Sequence, residues 1–224
     1  MTATDKPGGG KPRVRKSNLA GPVRGGLRAQ GMRTRGAIVV AARQLLLEDG
    51  GLGFTLREIA GRAGISISNL QYYFPSRPAV LRAVFEPVIG AYLCDLRRAV
   101  EEGAAPRETL AALAARALCD AQDAERSALW CHFLALVAVD PGSARLLDAW
   151  YETLVHEIAV LVRAANPALG LDGSRSAAIL AIALADGVCV RNGVGRKRQG
   201  CVHDLDAPFL AAVAYLLDGR PARS

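Results

Sequence analysis

Thr55-Leu-Arg-Glu-Ile-Ala-Gly-Arg-Ala-Gly-Ile-Ser-Ile-Ser-Asn-Leu-Gln-Tyr-Tyr-Phe74 is the stretch that decides the reading of this 224-residue chain. Thr55 and Glu58 stand in a T-x-x-E arrangement, in which each side chain satisfies a backbone N–H that the first turn of a helix leaves open. Ile59 and Ala60 face inward, and the small Ala60 lets a second short helix cross closely. Gly64 falls where the chain leaves the first helix and needs a positive φ. Ile65 plugs the turn into the core. Ser66 is an N-cap for a second helix, which Leu70 and Phe74, four residues apart, anchor. Two short helices joined by such a turn form a helix-turn-helix.

The face this leaves outside carries Ile67, Ser68, Asn69, Gln71, Tyr72 and Tyr73. It is rich in hydrogen-bonding groups and holds no acid, which suits a DNA major groove. Asn and Gln side chains pair with adenine, tyrosine hydroxyls reach phosphates, and Ile67 can touch a thymine methyl. No acid occurs from Gly61 through Phe85, whereas Arg57, Arg62, Arg77 and Arg82 flank the face. An ordinary αα-hairpin also carries a capping box. The spacing Ala60–Gly64–Leu70, the acid-free face and the charge upstream together favour DNA binding.

That charge is one-sided. Residues 1–35 hold nine Lys/Arg against the single acid Asp5, while the rest of the chain has 19 basic and 20 acidic residues. A local basic excess points to a polyanion, either nucleic acid or an anionic membrane surface. Residues 1–30 contain Gly8-Gly9-Gly10, Gly25-Gly26, Pro7, Pro12 and Pro22, and are predicted to be a disordered tail. Such an arm can order along DNA and add phosphate contacts.

Further along, apolar residues recur at helical spacing, beginning with Ala37, Ile38, Ala41, Ala42, Leu45 and Leu46. The pattern predicts helices near 33–49, 56–62, 67–73, 78–100, 106–122, 124–139, 143–165, 174–192 and 205–218. Pro75, Pro106, Pro141, Pro167 and Pro208 fall at or near boundaries. Pro87 sits inside 78–100 and should kink or divide that helix. The expected fold is all-α: a basic arm over 1–30, a three-helix DNA-binding domain over 31–78, and a helical ligand-binding and dimerisation bundle over 79–220.

Several classes of function are disfavoured. The five cysteines are odd in number and widely spaced, so neither a disulfide framework nor a metal site is expected. No apolar signal-peptide core opens the chain, and no run reaches the roughly 18 apolar residues of a membrane span. Ala177–Ala185 is the longest and stops at Asp186. No nucleophile–base pair, phosphate loop or zinc-protease motif is present, so neither an enzyme nor a cofactor is expected. A reducing cytoplasm is the expected compartment.

From Arg33 to Val84 the chain resembles the tetracycline-repressor (TetR) family. The resemblance rests on Ala41-Ala42, Gly50, Thr55, Glu58-Ile59-Ala60, Ala63-Gly64-Ile65-Ser66, Asn69-Leu70, Tyr72-Tyr73-Phe74, Arg77 and Leu81. It implies that Thr55 binds phosphate and that Arg57 reaches a base or phosphate. Ser66, Ile67, Ser68, Asn69, Gln71 and Tyr72 would face the groove, with Tyr73 and Arg77 holding phosphates. Gln71 replaces the usual tyrosine of the family, and Arg77-Pro78 replaces the usual lysine and its neighbour. Trp130, Phe133, Asp140-Pro141 and Ala183-Leu184-Ala185-Asp186-Gly187 resemble the choline-sensing, BetI-like branch.

Residues 86–224 carry 14 basic and 17 acidic residues, as suits a ligand or dimer module rather than a second nucleic-acid surface. The resemblance implies an internal pocket and a homodimer joined through helices 174–192 and 205–218, by way of Ile179, Ile182, Ala183, Leu210, Val213 and Leu217. Candidate pocket residues are Trp130, Phe133, Trp150, Tyr151, His156 and Asp186, with His132, Glu152 and Asn192 beside them. Aromatics with an acid can cage a quaternary ammonium group. Cys201 near Arg196-Lys197-Arg198 is a candidate reactive thiol. The function expected is a ligand-responsive regulator, a repressor that grips a palindromic double-stranded operator as a dimer and leaves it when a small effector binds. The alternatives are a ligand-independent architectural DNA binder, a basic membrane-surface protein and an all-helical enzyme.

Overall fold

The computed structural model describes Met1 and residues 23–48, 51–192 and 205–218. Among them are the helices α1 (Val23–Glu48), α2 (Leu56–Arg62), α3 (Ile67–Tyr73), α4 (Arg77–Glu101), α5 (Pro106–Gln122), α6 (Ala124–Val137), α7 (Pro141–Ala165), α8 (Gly170–Asn192) and α9 (Asp206–Asp218), with a 3₁₀ turn at Pro167–Leu169 and no strand among the described residues. The chain divides into two compact units, Met1–Thr34 and Arg35–Ser224.

Local chemistry sets most of these boundaries. Thr55 and Glu58 form the full capping box at α2, with the Glu58 carboxylate accepting from the Thr55 N–H at 2.6 Å. Ser66, Ser76, Asp123 and Asp140 cap α3, α4, α6 and α7 through their side-chain oxygens. Pro106 and Pro141 open α5 and α7, where a missing N–H costs nothing. Gly64 has φ 68°, as the turn between α2 and α3 requires.

The start of α1 corrects the sequence reading. Residues 23–30, expected as part of a disordered arm, are helical. No proline follows Pro22 in this segment, and Leu27, Arg28, Ala29 and Gln30 are good helix formers that outweigh Gly25-Gly26. Residues 2–22 of the expected arm lie outside the described residues.

The expected domain boundary at residue 78 is not a break in packing. One continuous core joins Ile38, Leu45 and Leu46 of α1, Ile59 of α2 and Leu70 of α3 to Phe85 of α4, Phe133 of α6 and Leu147 of α7. α4 runs unbroken through Pro87, so the proline does not divide it. A second core, with Leu96, Leu110, Leu154, Ile158, Val162 and Ala178, holds α4, α5, α7 and α8 together. A third, with Ala114, Leu118, Phe209 and Val213, seats α9.

One polar joint ties α4 to the α6–α7 corner. The Arg82 guanidinium donates to Asp140 Oδ2 at 2.6 Å, and the same carboxylate accepts from the Ser143 N–H at 2.8 Å and its hydroxyl at 2.7 Å. Gly142 makes room for it, since a Cβ there would lie 2.6 Å from the Arg82 guanidinium. These bonds hold the Asp140 carboxyl below its ordinary range, the Ser143 hydroxyl foremost, with the Arg82 charge adding to the effect.

The segment Pro167–Arg191 is long and apolar enough, by length and composition, to cross a membrane, whereas the sequence reading found no such segment. The difference is one of averaging: Asp186 interrupts the apolar run without lowering its mean hydropathy below that of a span. In this fold α8 is a bundle helix, packed against α5, α6, α7 and α9. Its outer face leaves Ile179, Leu180, Leu184 and Val190 exposed.

Candidate functional site

The first site is the outer face of α2 and α3. Leu70 and Ile59 are fully buried and fix the two helices to the core. Ser68, Asn69, Gln71 and Tyr72 are thereby left exposed, with Tyr72 82 % accessible. Tyr73 is half-buried and meets the Tyr72 ring edge-on, centroids 5.1 Å apart. Arg57 is exposed at the start of α2.

Four expected contacts need refinement. The Thr55 hydroxyl donates to Glu58 at 2.8 Å and accepts from its N–H, so it is first a cap. Ser66 Oγ accepts from the Asn69 N–H at 3.2 Å and is likewise first a cap. These bonds to Thr55 hold the Glu58 carboxyl below its ordinary range. Ile67 is half-buried against the core, which leaves only part of the side chain for a base. Arg77 departs most from expectation. Its Nη1 donates to the carbonyls of Leu52 and, at 3.1 Å, Phe54, so that donor stitches α4 to the loop ahead of α2 rather than facing outward. A further cation, Arg35 on α1, lies over the Phe74 ring at 5.1 Å.

The second site is a cavity of about 460 Å³ inside the bundle. Most of its apolar wall comes from α4, α5, α7, α8 and α9, among them Val88, Leu113, Ile158, Ile182 and Val213. Trp130, Trp150 and Asp186 line it, as expected from the sequence, together with Tyr92, which the sequence reading missed. Trp130 and Trp150 meet edge-on with centroids 5.6 Å apart, and Tyr92 stands 6.4 Å from Trp150. Both indole N–H groups are buried with no hydrogen-bond partner among the described residues.

Asp186 accepts a hydrogen bond from the Tyr151 hydroxyl. Burial pushes its carboxyl up to about 6, against the opposing pull of that bond. The Tyr151 phenol is pushed well up, by burial first and by the Asp186 carboxylate second. Cys189, one turn along α8 on the same wall, is pushed up to about 12 by burial, which makes it a poor nucleophile. Asp186 is thus a half-buried acid with no cation paired to it among the described residues.

The other acid on the wall is fully committed. Asp120 accepts from the Tyr92 hydroxyl at 2.8 Å and pairs with Arg126 and Arg116. Arg116 also pairs with Asp95, bonds the Ala91 carbonyl at 3.2 Å, and lies 4.4 Å from the Tyr92 ring centroid. Burial and then Asp120 raise the Tyr92 phenol far above its ordinary range.

Other expected pocket residues sit elsewhere. Phe133 is fully buried between Phe85 and Trp130 as core. Tyr151 stands behind Asp186 rather than on the wall. His156 and Glu152 are exposed on the outer face of α7. His132 is buried, and burial alone holds its imidazole below the ordinary range. Ile182, Val213 and Leu217, expected at a dimer face, line the cavity instead, because α8 and α9 turn them inward. Asn192's side chain, Cys201 and Arg196-Lys197-Arg198 lie outside the described residues. Among those described, no cluster of three or more His, Cys, Asp or Glu could hold a metal ion.

Comparison with known proteins places both halves. Residues 38–84 match the model of bacterial regulatory proteins of the tetR family, and residues 106–202 that of the BetI-type transcriptional repressor C-terminal domain. The chain is 31 % identical over 161 residues to the HTH-type transcriptional regulator BetI of Rhizobium meliloti, covering 71 % of this chain and 78 % of that protein. Among solved structures, a transcriptional regulator from Rhodococcus sp. aligns with TM-score 0.67 at 21 % identity, covering 85 % of this chain and 99 % of that one. The TetR-family repressor FadR of Thermus thermophilus, solved with lauroyl-CoA, aligns with TM-score 0.57 at 25 % identity over 85 % of this chain and 96 % of its own.

Proposed function

This chain belongs to the TetR family of bacterial regulatory proteins, and from that premise we propose that it represses transcription as a homodimer on a palindromic operator and is released by a small molecule held in its bundle. The observation that carries the reading is the outer face of α3. Ser68, Asn69, Gln71 and Tyr72 stand exposed there, on a helix held rigidly by Leu70 and Phe74. Amide side chains on such a face discriminate base edges, each good bidentate pair contributing about 1–3 kcal/mol. Arg57 and Tyr73 add phosphate contacts. Thr55 and Ser66 present backbone and hydroxyl at the helix starts. Arg77 acts by positioning the loop before α2. The site of action is the cytoplasm, where the DNA is.

The cavity supports release by a ligand. Asp186 is a half-buried acid without a cation among the described residues, and Trp130, Trp150 and Tyr92 share its cavity. Aromatic faces attract a desolvated cation by about 2 kcal/mol. A small organic cation with an apolar body is therefore the effector class favoured here. Selection of bound sites from random duplexes tests the whole reading, with a palindrome the expected product. On that site Asn69→Ala and Tyr72→Ala should each weaken binding about ten-fold, the loss of one good base contact. Unchanged affinity and selectivity in both variants, read by gel shift, would remove α3 as the reading helix.

A further inference from the structure

The cavity wall is not made by the bundle alone. Val39 and Arg43 of α1, the first of the three DNA-binding helices, line it beside Val84, Pro87 and Val88 of α4 and Arg126, Leu129 and Trp130 of α6. Arg43 pairs with Glu125 in the first turn of α6, where the positive end of the helix favours an acid. Both side chains of that pair are about half exposed, 47 % each, so water competes with it and it holds weakly. The ion pair that ties α4 to the α6–α7 corner, Arg82 with Asp140, is more buried and sits in the Ser143 network. None of Arg82, Asp140 and Ser143 touches the cavity.

We infer that α1 reads the cavity directly: a molecule seated there contacts Val39 and Arg43 and displaces Glu125 from Arg43, while the Arg82–Asp140 joint stays closed as the pivot. A molecule able to do this carries a hydrogen-bond acceptor, such as a carboxylate or carbonyl oxygen, at the end nearest α1, because only an acceptor replaces Glu125 on a guanidinium. The signal then reaches α2 and α3 through the core that α1 shares with them, around Ile38, Ala42, Ile59 and Leu70. Coupling of this kind is reciprocal. Operator binding must therefore disturb the cavity through the same contacts, even when the cavity is empty.

This inference rests on the operator reading above, and it is tested without knowing the effector. The chain has two tryptophans, Trp130 and Trp150, and both line the cavity, so intrinsic emission reports on it. The full-length protein is titrated with the selected operator duplex, and acrylamide quenching of the tryptophans and gel mobility are read on the same samples. Saturating duplex should change the quenching constant of the native protein by about 1.5-fold or more. Arg43→Gln, Glu125→Gln and Val39→Ala should each at least halve that change while leaving operator affinity within about three-fold, since an exposed pair contributes little by itself. The charge-swapped variant R43E/E125R should recover it. A full change in Arg43→Gln, or none in the native protein despite a clear mobility shift, overturns the inference and leaves operator binding standing. No mobility shift at all overturns the operator reading, and the inference with it.

Discussion

Asp186 joins a half-buried carboxyl to the cavity wall. Its folded-state carboxyl titrates at about 6, above the ordinary 3.8, chiefly because burial disfavours the charged form. The folded state thus holds a proton that the unfolded chain releases, and stability is lost as pH rises from about 4 to 6. Asp186→Asn removes the penalty while keeping an acceptor for the Tyr151 hydroxyl. It should raise stability at pH 8 by up to about 3 kcal/mol, the free-energy equivalent of moving the carboxyl from 3.8 to about 6, and leave stability at pH 4 unchanged. Urea denaturation at the two pH values measures this. Equal effects at both would mean that Asp186 is not strained by burial. The same substitution should abolish any response to organic cations, which links the instability to the proposed use of the residue.

Among the elements, α4 carries a proline in its interior. Pro87 was expected to kink or divide it, yet the helix continues from Arg77 to Glu101. Packing explains the continuity, because Val80, Leu81, Val84, Phe85, Ile89 and Leu96 are all buried on one side and hold both halves in line. What Pro87 does remove is the N–H that would meet the Ala83 carbonyl, at a point where α4 borders the cavity. Pro87→Ala restores that bond and should stabilise the protein by about 1–3 kcal/mol, with operator affinity little changed. Thermal denaturation and gel shift decide it, and a lower melting temperature would show that the proline is accommodated without cost.

At the scale of the molecule, the exposed residues of α8 and α9 are the remaining question. Ile179, Leu180 and Leu184 of α8 and Leu210 of α9 are 38–50 % accessible, an apolar surface that needs a cover. A second copy is the cover proposed here, because two recognition helices must reach major grooves about 34–36 Å apart. Leu184→Glu should convert a dimer to a monomer in sedimentation and weaken operator binding at least ten-fold, because the second half-site is lost. A variant that stays dimeric would place the interface elsewhere.

The sequence by itself determined most of the elements and that Ser68, Asn69, Gln71 and Tyr72 of α3 stand outside. Capping boxes, prolines at first turns, the positive-φ glycine and the helical period are all local, so Thr55, Gly64, Ser66, Leu70 and Pro106 could be read in place. Trp130, Trp150 and Asp186 were legible as oddities, an acid and large aromatics in apolar helices. Only the tertiary structure decided what those residues face. Val39 and Arg43 of α1 join Tyr92 of α4 and Arg116 and Asp120 of α5 on the cavity wall, while Phe133 and His156, equally suggestive by type, turn into the core and out to solvent. Arg77 shows the same limit, because its carbonyl partners, Leu52 and Phe54, lie more than twenty residues upstream. The direction of a side chain on a packed helix is set by its neighbours in space, and those are fixed only when the helices have docked.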